Sequence, residues 1–218
     1  MTAPGAPPCA PEETVARTGP ANGSGMTRPK TEPKVEVPVE KTAWSPSLLA
    51  DQVVLISSRS TQGVTHVARK SWISMVASTP PMLGLACRLW HRTAINILET
   101  REFVVNVPGE EIAARIWAAG DSSSQVEPGE EAGWTLIPSS RVSPPRVQEC
   151  RGHIECVLDS MKRLNDEELV FFARIVSVSL DESLTRGSAA DRYQALRLLF
   201  YLETDLFGVV DVAKKIPP

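Results

Sequence analysis

Residues 64–98 read VTHVARKSWISMVASTPPMLGLACRLWHRTAINIL, and the fold turns on how this stretch is understood. Val64–Val76 mixes β-branched with polar residues, which favours an extended or looped path over a helix. Pro80 and Pro81 fix two φ angles and bias Thr79 away from the helical region, so a corner is expected there. Met82–Cys87 is a short apolar run between that corner and Arg88, and it predicts a strand buried on both faces. Thr93 is placed to cap a helix over Ala94–Arg101 with Ile95 and Leu98 on its inner face.

A helix start of this kind carries unpaired N–H groups and the positive end of the helix dipole. Arg92 stands just before it and can hold phosphate oxygens through its planar fork, and Lys70 supplies a second positive charge. Together they make a candidate phosphate site. From spacing alone the plainer reading is a capped helix beside a solvated arginine.

Outward from this stretch, Val53–Ile56 is a β-branched run that predicts a strand, and Gln62-Gly63 predicts a turn. Glu102–Val107 is a further strand, closed by Pro108-Gly109. A helix is expected over Glu110–Ala119, with Ile112, Ile116 and Trp117 on one face, acidic residues in its first turn and Gly120 as its stop. Asp121–Ala132 is acidic and contains Gly and Pro, and it reads as a mobile loop, either a lid or a plain linker. Trp134–Ile137 is apolar and Pro138–Pro145 irregular. Gly152–Leu158 alternates, with Ile154, Cys156 and Leu158 on one face. With a turn at Arg163–Glu167 and a long strand over Leu169–Leu180, it predicts an antiparallel hairpin. Leu184–Arg192 reads as loop, Tyr193, Leu196, Leu199 and Phe200 recur at helical spacing, and Leu206–Val212 reads as a strand or docking tail. Many strands with few helices predict a mostly β protein, a barrel with peripheral helices.

The first 41 of the 218 residues are rich in Pro, Gly, Thr and charge. They predict a disordered tail, with one folded domain over 42–218 beginning near Trp44. A net charge of -3 and a pI near 5.7 give no basic footprint for nucleic acid. No apolar run reaches the length of a membrane span. The N-terminus lacks the basic-then-apolar order of a secretory signal, so the cytoplasm is the expected compartment. Of the four cysteines, Cys9 falls in the tail and Cys87 in an apolar strand, while Cys150 and Cys156 are spaced as no common zinc motif is. Neither a disulfide framework nor a metal is expected.

The segments VVLISS, QG, RKSWISMVAST, PPMLGLAC, HRTAINILETR and EFVVNVPG follow one another over Gln52–Gly109. In order and spacing this set resembles the flavin-binding core of the flavin reductase-like family, the FMN-binding split barrels. A weaker likeness continues through ECRGHIECVL and ELVFFARIVSV. The resemblance implies a split β-barrel, a homodimer and FMN bound near the subunit interface. It implies that Lys70, Arg92, Thr93 and Asn96 lie at the phosphate end of the flavin and that Trp72, Ile73 and Val76 offer it an apolar surface. Ser71 and Ser74 would supply hydrogen bonds to its polar edge. His66 stands where many relatives have Asn and is the candidate for contact with flavin or substrate.

The activity so implied is that of an FMN-dependent oxidoreductase, most simply an NAD(P)H:flavin reductase that uses NADH or NADPH and supplies a partner oxygenase. Two alternatives stay open: a biosynthetic flavoenzyme acting directly on an organic substrate, and a flavin- or ligand-binding module without turnover. One departure bears on the choice. Many relatives carry Gly-Asp-His in the last hairpin turn, whereas this chain has RLNDEEL over 163–169.

Overall fold

The structure, a computed structural model, describes residues 33, 34, 36, 48–118, 133–203 and 206–214. The rest of the expected tail, the expected start near Trp44, the Gly120 stop and the acidic loop over 121–132 lie outside the described residues. The elements run β1 Asp51–Gln52, β2 Val54–Arg59, β3 Thr65–Lys70, β4 Ile73–Ser78, β5 Pro81–Arg88, α1 Arg92–Thr100 and β6 Glu102–Val107. After a 3-10 turn at Glu110–Ile112 come α2 Ala113–Ala118, β7 Leu136–Ile137, β8 Arg146–Val147, β9 Gly152–Arg163 and β10 Glu168–Leu180. A second 3-10 turn at Glu182–Thr185 leads to α3 Ala189–Leu196, β11 Leu199–Glu203 and β12 Leu206–Val209.

Seven strands form one antiparallel sheet in the order β3-β2-β6-β9-β10-β5-β4. Its two edge strands, β3 and β4, are consecutive in the chain with only Ser71 and Trp72 between them. Three residue steps span at most about 10 Å, so the sheet has to curl until its edges nearly meet. The seam carries no ladder, which makes this a split barrel, the fold expected from the sequence, and α1 packs over β2, β3 and β5 beside it.

The barrel interior is filled from alternate positions of five strands: Val54 and Ile56, Leu83, Leu85 and Cys87, Phe103 and Val105, Cys156 and Leu158, and Leu169, Phe171 and Ala173. Ala94 and Ile97 of α1 complete it. Outside the barrel a second core gathers Val53, Leu55, Ile116, Trp134, Val147, Cys150 and Leu199 under the small sheet β1-β11-β12. The segment Val53–Ile56 is therefore buried on both faces, which is why it reads as a continuous apolar run. Cys87, Cys150 and Cys156 are buried and form no disulfide.

The strands over Glu102–Val107 and the β9–β10 hairpin stand as the sequence implies. Several details differ. The buried face of α1 is Ala94 and Ile97, and Leu98 is 39% exposed. The helix also starts two residues earlier than expected, at Arg92. A 3-10 turn and then α3 occupy most of the expected loop over Leu184–Arg192, because Ser188 and Asp191 form a reciprocal capping box. Leu199 and Phe200 belong to β11, not to that helix. Their match to the helical period comes from two elements meeting at Arg197, which caps α3 in the left-handed region at φ 46°.

Asn106 ties the barrel to its outer layer. Its amide donates to Leu55 O and Ser57 Oγ, each at 3.1 Å, and its Oδ1 accepts from Val147 N at 2.8 Å. Replacing it leaves buried backbone groups without partners at roughly 1–3 kcal/mol each. Asn106→Val is expected to destabilise by about 2–4 kcal/mol, lowering the melting temperature by roughly 4–16 °C. Glu167→Ala, at an exposed turn, is expected to change stability by under about 0.5 kcal/mol. Chemical denaturation of the two variants checks both; a neutral Asn106→Val would refute the role given to this amide.

Candidate functional site

Strand β3 runs beside β2 with His66 opposite Ser58 and Lys70 opposite Val54. Against these two strands sits α1, drawn in by Ala94 and Ile97 and fixed by Asn96, whose Nδ2 donates to Ser58 Oγ at 3.1 Å. The helix start is thereby held over the end of β3. The residue that caps it is His91, with extended backbone (φ −67°, ψ 138°) and no side-chain capping bond. Its imidazole is engaged elsewhere: Lys70 Nζ donates to His91 Nδ1 at 3.0 Å, and Cys87 Sγ lies 3.7 Å from the same nitrogen. Lys70 and His91 are both buried.

Thr93 is not the cap that the sequence suggests. It is the second helical residue, fully buried, and its Oγ1 has no partner. Arg92 is exposed beside it. Among the described residues four buried side-chain polar atoms lack a partner, and three of them belong to this corner: His66 Nε2, Thr93 Oγ1 and Asn96 Oδ1. Burial, then the charges of Lys70, Arg92 and His91, push the His66 pKa down to about 4. Those fields converge on one imidazole, so His66, Lys70, His91 and Arg92 belong to one electropositive site. Anion binding there would relieve the repulsion.

The second half of the candidate set lies on the seam. Ser71 and Trp72 form the link between the sheet edges. Trp72 is 52% exposed, but it is held at both ends: its carbonyl accepts from Ala86 N at 2.9 Å, and its indole bonds the Asp51 carboxylate. Burial raises the Asp51 pKa, and that indole bond opposes the rise. Ile73 packs onto the barrel core and so is turned away from any ligand on the outer face. Ser74 is exposed and its hydroxyl donates to Met75 O at 3.3 Å. Val76 is exposed and its Cγ1 would lie 3.0 Å from a Cβ at position 84, which Gly84 lacks. A side chain at position 84 would crowd Val76 across the β4–β5 ladder, which Gly84 avoids.

The sequence gives no sign of Asp51 as the indole's partner or of Ser58 as the anchor of Asn96, since both contacts cross between distant segments. Ser58 shows only as a hydroxyl at the end of an apolar run. His153, to which the sequence assigns nothing, is buried with its Nε2 on Val147 O at 2.9 Å. The hairpin turn after β9 is closed on itself, with Asn165 Oδ1 accepting from Glu167 N and Glu168 N at 2.8 Å each. Among the described residues no three His, Cys, Asp or Glu come together as a metal site would require.

Comparison with known proteins gives this geometry its context. An uncharacterized protein of Pyrococcus abyssi is 28% identical over 122 residues, 56% of this chain and 70% of that one. Nitrilotriacetate monooxygenase component B from Bacillus cereus superposes with a TM-score of 0.72 at 20% identity, covering 85% of this chain and all of that one. An FMN-binding protein from Thermus thermophilus, solved with p-hydroxybenzaldehyde, superposes at 0.67 with 16% identity, covering 86% of this chain and 100% of that one. These two likenesses show a shared fold. The family model for the flavin reductase like domain matches residues 47–203, well over half of the chain, and the protein therefore belongs to the flavin reductase-like family.

Proposed function

We propose that the protein is an FMN-dependent oxidoreductase, most simply an NAD(P)H:flavin reductase that passes reducing equivalents to a partner oxygenase. The observation that carries the reading is the corner of β3 and α1, where four cationic or imidazole side chains meet a helix start and three buried polar atoms lack partners. The donor set suits a phosphate: Arg92 offers a planar fork, Thr93 a hydroxyl at the helix start and Lys70 a fixed charge. Asn96 Oδ1 is an acceptor and suits a ribityl hydroxyl. Trp72 and Val76, both half exposed on the outer side of the seam, give a flat apolar surface for an aromatic ring. Ser71 and Ser74 lie beside that surface, with hydroxyls suited to the ring's polar edge. Bound FMN would supply the two-electron chemistry that side chains lack.

The chain's own contribution is binding, orientation and charge. Lys70 and Arg92 favour the anionic ligand, and the Asp51–indole bond fixes the ring platform. His66, neutral near pH 7, has an unpartnered Nε2 for a ligand oxygen. A homodimer belongs to the same proposal. Trp72, Met75 and Val76 are all exposed along the β4 edge, and a second copy covering that edge would enclose the ring. The second reading, a flavoenzyme acting directly on an organic substrate with FMN retained, is favoured by the hairpin turn, which has no imidazole to meet a nicotinamide.

Three outcomes test this. First, the protein is expected to bind FMN at least tenfold more tightly than riboflavin, since a charge-assisted hydrogen bond contributes roughly 1.5–3 kcal/mol. Equal affinities in a fluorescence titration would remove the phosphate site. Second, Arg92→Ala is expected to weaken FMN binding by about 2–3 kcal/mol, with Arg92→Lys recovering only part and ligand-free melting unchanged. Third, His66 binds its proton less well folded than unfolded, so the unfolded chain takes up more protons between about pH 6.5 and 4. Stability should therefore fall as pH drops through that window. His66→Asn should flatten the melting profile there, and an identical profile would show that His66 does not titrate with folding. Consumption of NADH or NADPH with added FMN decides between flavin reduction and the second reading.

A further inference from the structure

A cavity of about 300 Å³ lies between the end of the barrel and α3. It shares no residue with the β3–α1 corner or the seam. Its walls come from the last residue of β6, the start of β9, the end of β10, the second 3-10 turn and α3. The volume is at the lower end of the range for small-molecule sites.

The lining divides into an apolar body and a polar mouth. Ile154, Leu184 and Leu196 supply the body together with Val178 and Leu180, which remain 59% and 47% exposed at the end of β10. Two strand residues of this kind on a concave surface leave apolar area in water that a ligand can cover. The charged lining is Arg151 and Arg192, and no carboxylate lines the cavity.

The two arginines differ. Arg151 is spent on structure: its Nε pairs with Asp181 at 2.9 Å, and its Nη1 donates to Ala195 O at 3.1 Å and approaches Glu111 at 3.8 Å. This clamp fixes the C-terminal end of α3 against β9. Arg192 lines the cavity, uses Nη1 on Gly187 O at 2.8 Å, lies within the charge field of Asp191, and has further N–H donors. Its neighbour Asp191 is held by the Ser188 hydroxyl and backbone N–H, at 2.7 and 2.9 Å. His153 has both nitrogens occupied, by Val147 O and Ser179 Oγ, so it forms a satisfied wall. Tyr193, 53% exposed, stands at the rim.

We propose that this cavity binds a small aromatic or short-chain carboxylate, with its apolar body against Leu184, Leu196 and Val178 and its carboxylate on Arg192. The apolar walls favour a carboxylate on a hydrocarbon frame over inorganic phosphate. A single arginine with a planar fork matches one carboxylate. The site is independent of the flavin reading, because it is built from other residues.

Benzoate is the probe, titrated into the full chain saturated with FMN and followed by calorimetry and by NMR of backbone amides. Benzoate is expected to bind with a dissociation constant of about 1 mM or tighter, shifting amides of α3 and the end of β10, while benzamide binds at least tenfold more weakly. Leu196→Trp, which fills the cavity, should abolish binding. Arg192→Ala should weaken it about tenfold, with FMN affinity and melting temperature unchanged in both variants. Shifts confined to β4 and α1 would place benzoate at the flavin site and overturn the proposal. So would binding that survives Leu196→Trp, or equal affinity for benzamide. If Leu196→Trp misfolds, Leu184→Phe serves in its place, and undiminished binding there overturns the proposal equally.

Discussion

The architecture depends on one strand buried from both sides. Val54 and Ile56 of β2 face the barrel core, while Val53 just before it and Leu55 within it face the outer core. A strand in this position has no access to water, so every polar group it carries needs a partner inside the protein. Its two hydroxyls, Ser57 and Ser58, point to opposite sides and are met by two asparagines. Asn106 of β6 takes Ser57 on the outer side, with Leu55 O and Val147 N. Asn96 of α1 takes Ser58 on the inner side. One asparagine fixes the outer layer to the barrel and the other fixes the helix over its seam.

The electropositive corner is a consequence of that second contact. Because Asn96 and the pair Ala94 and Ile97 set the rotation of α1, His91 arrives over Lys70, and Arg92 and Thr93 arrive beside His66. The helix C-terminus is pinned as well. Arg101 caps it at φ 62°, and its guanidinium donates to Leu158 O at 2.8 Å, where β9 and β10 change register. A helix held at both ends presents its first N–H groups in a fixed direction, which is the arrangement an anion site requires. The charges are costly to assemble without a ligand. Burial, and after it the neighbouring charges, depress the His66 pKa, and the Thr93 and Asn96 atoms stand buried without partners.

Elsewhere in the fold α3 is attached by different means. Arg151 clamps its C-terminal end, and Arg197 pairs with Glu110. The helix closes the small apolar cavity without filling it. A split barrel with long strands leaves open ends, and here one end is covered by a short amphipathic helix that leaves room beneath it.

The sequence by itself determined the strand content, the Pro-Pro corner, the β9–β10 hairpin and the family, because alternation, proline and local order are properties of neighbouring residues. It also singled out Lys70, Arg92, Thr93 and Asn96 as one group, through the helix start and the family resemblance. Tertiary structure decided the rest. Thr93 reads locally as a cap, yet His91 takes that place, with its imidazole on Lys70, 21 residues away. Ile73 and Val76 look equivalent in the sequence, but the pleat and a shift in register send one into the core and the other outward. The bond between Asp51 and Trp72 and the Asn96–Ser58 anchor join segments that only the curled sheet brings together. No local pattern encodes such pairs, because their partners are chosen by the closure of the barrel.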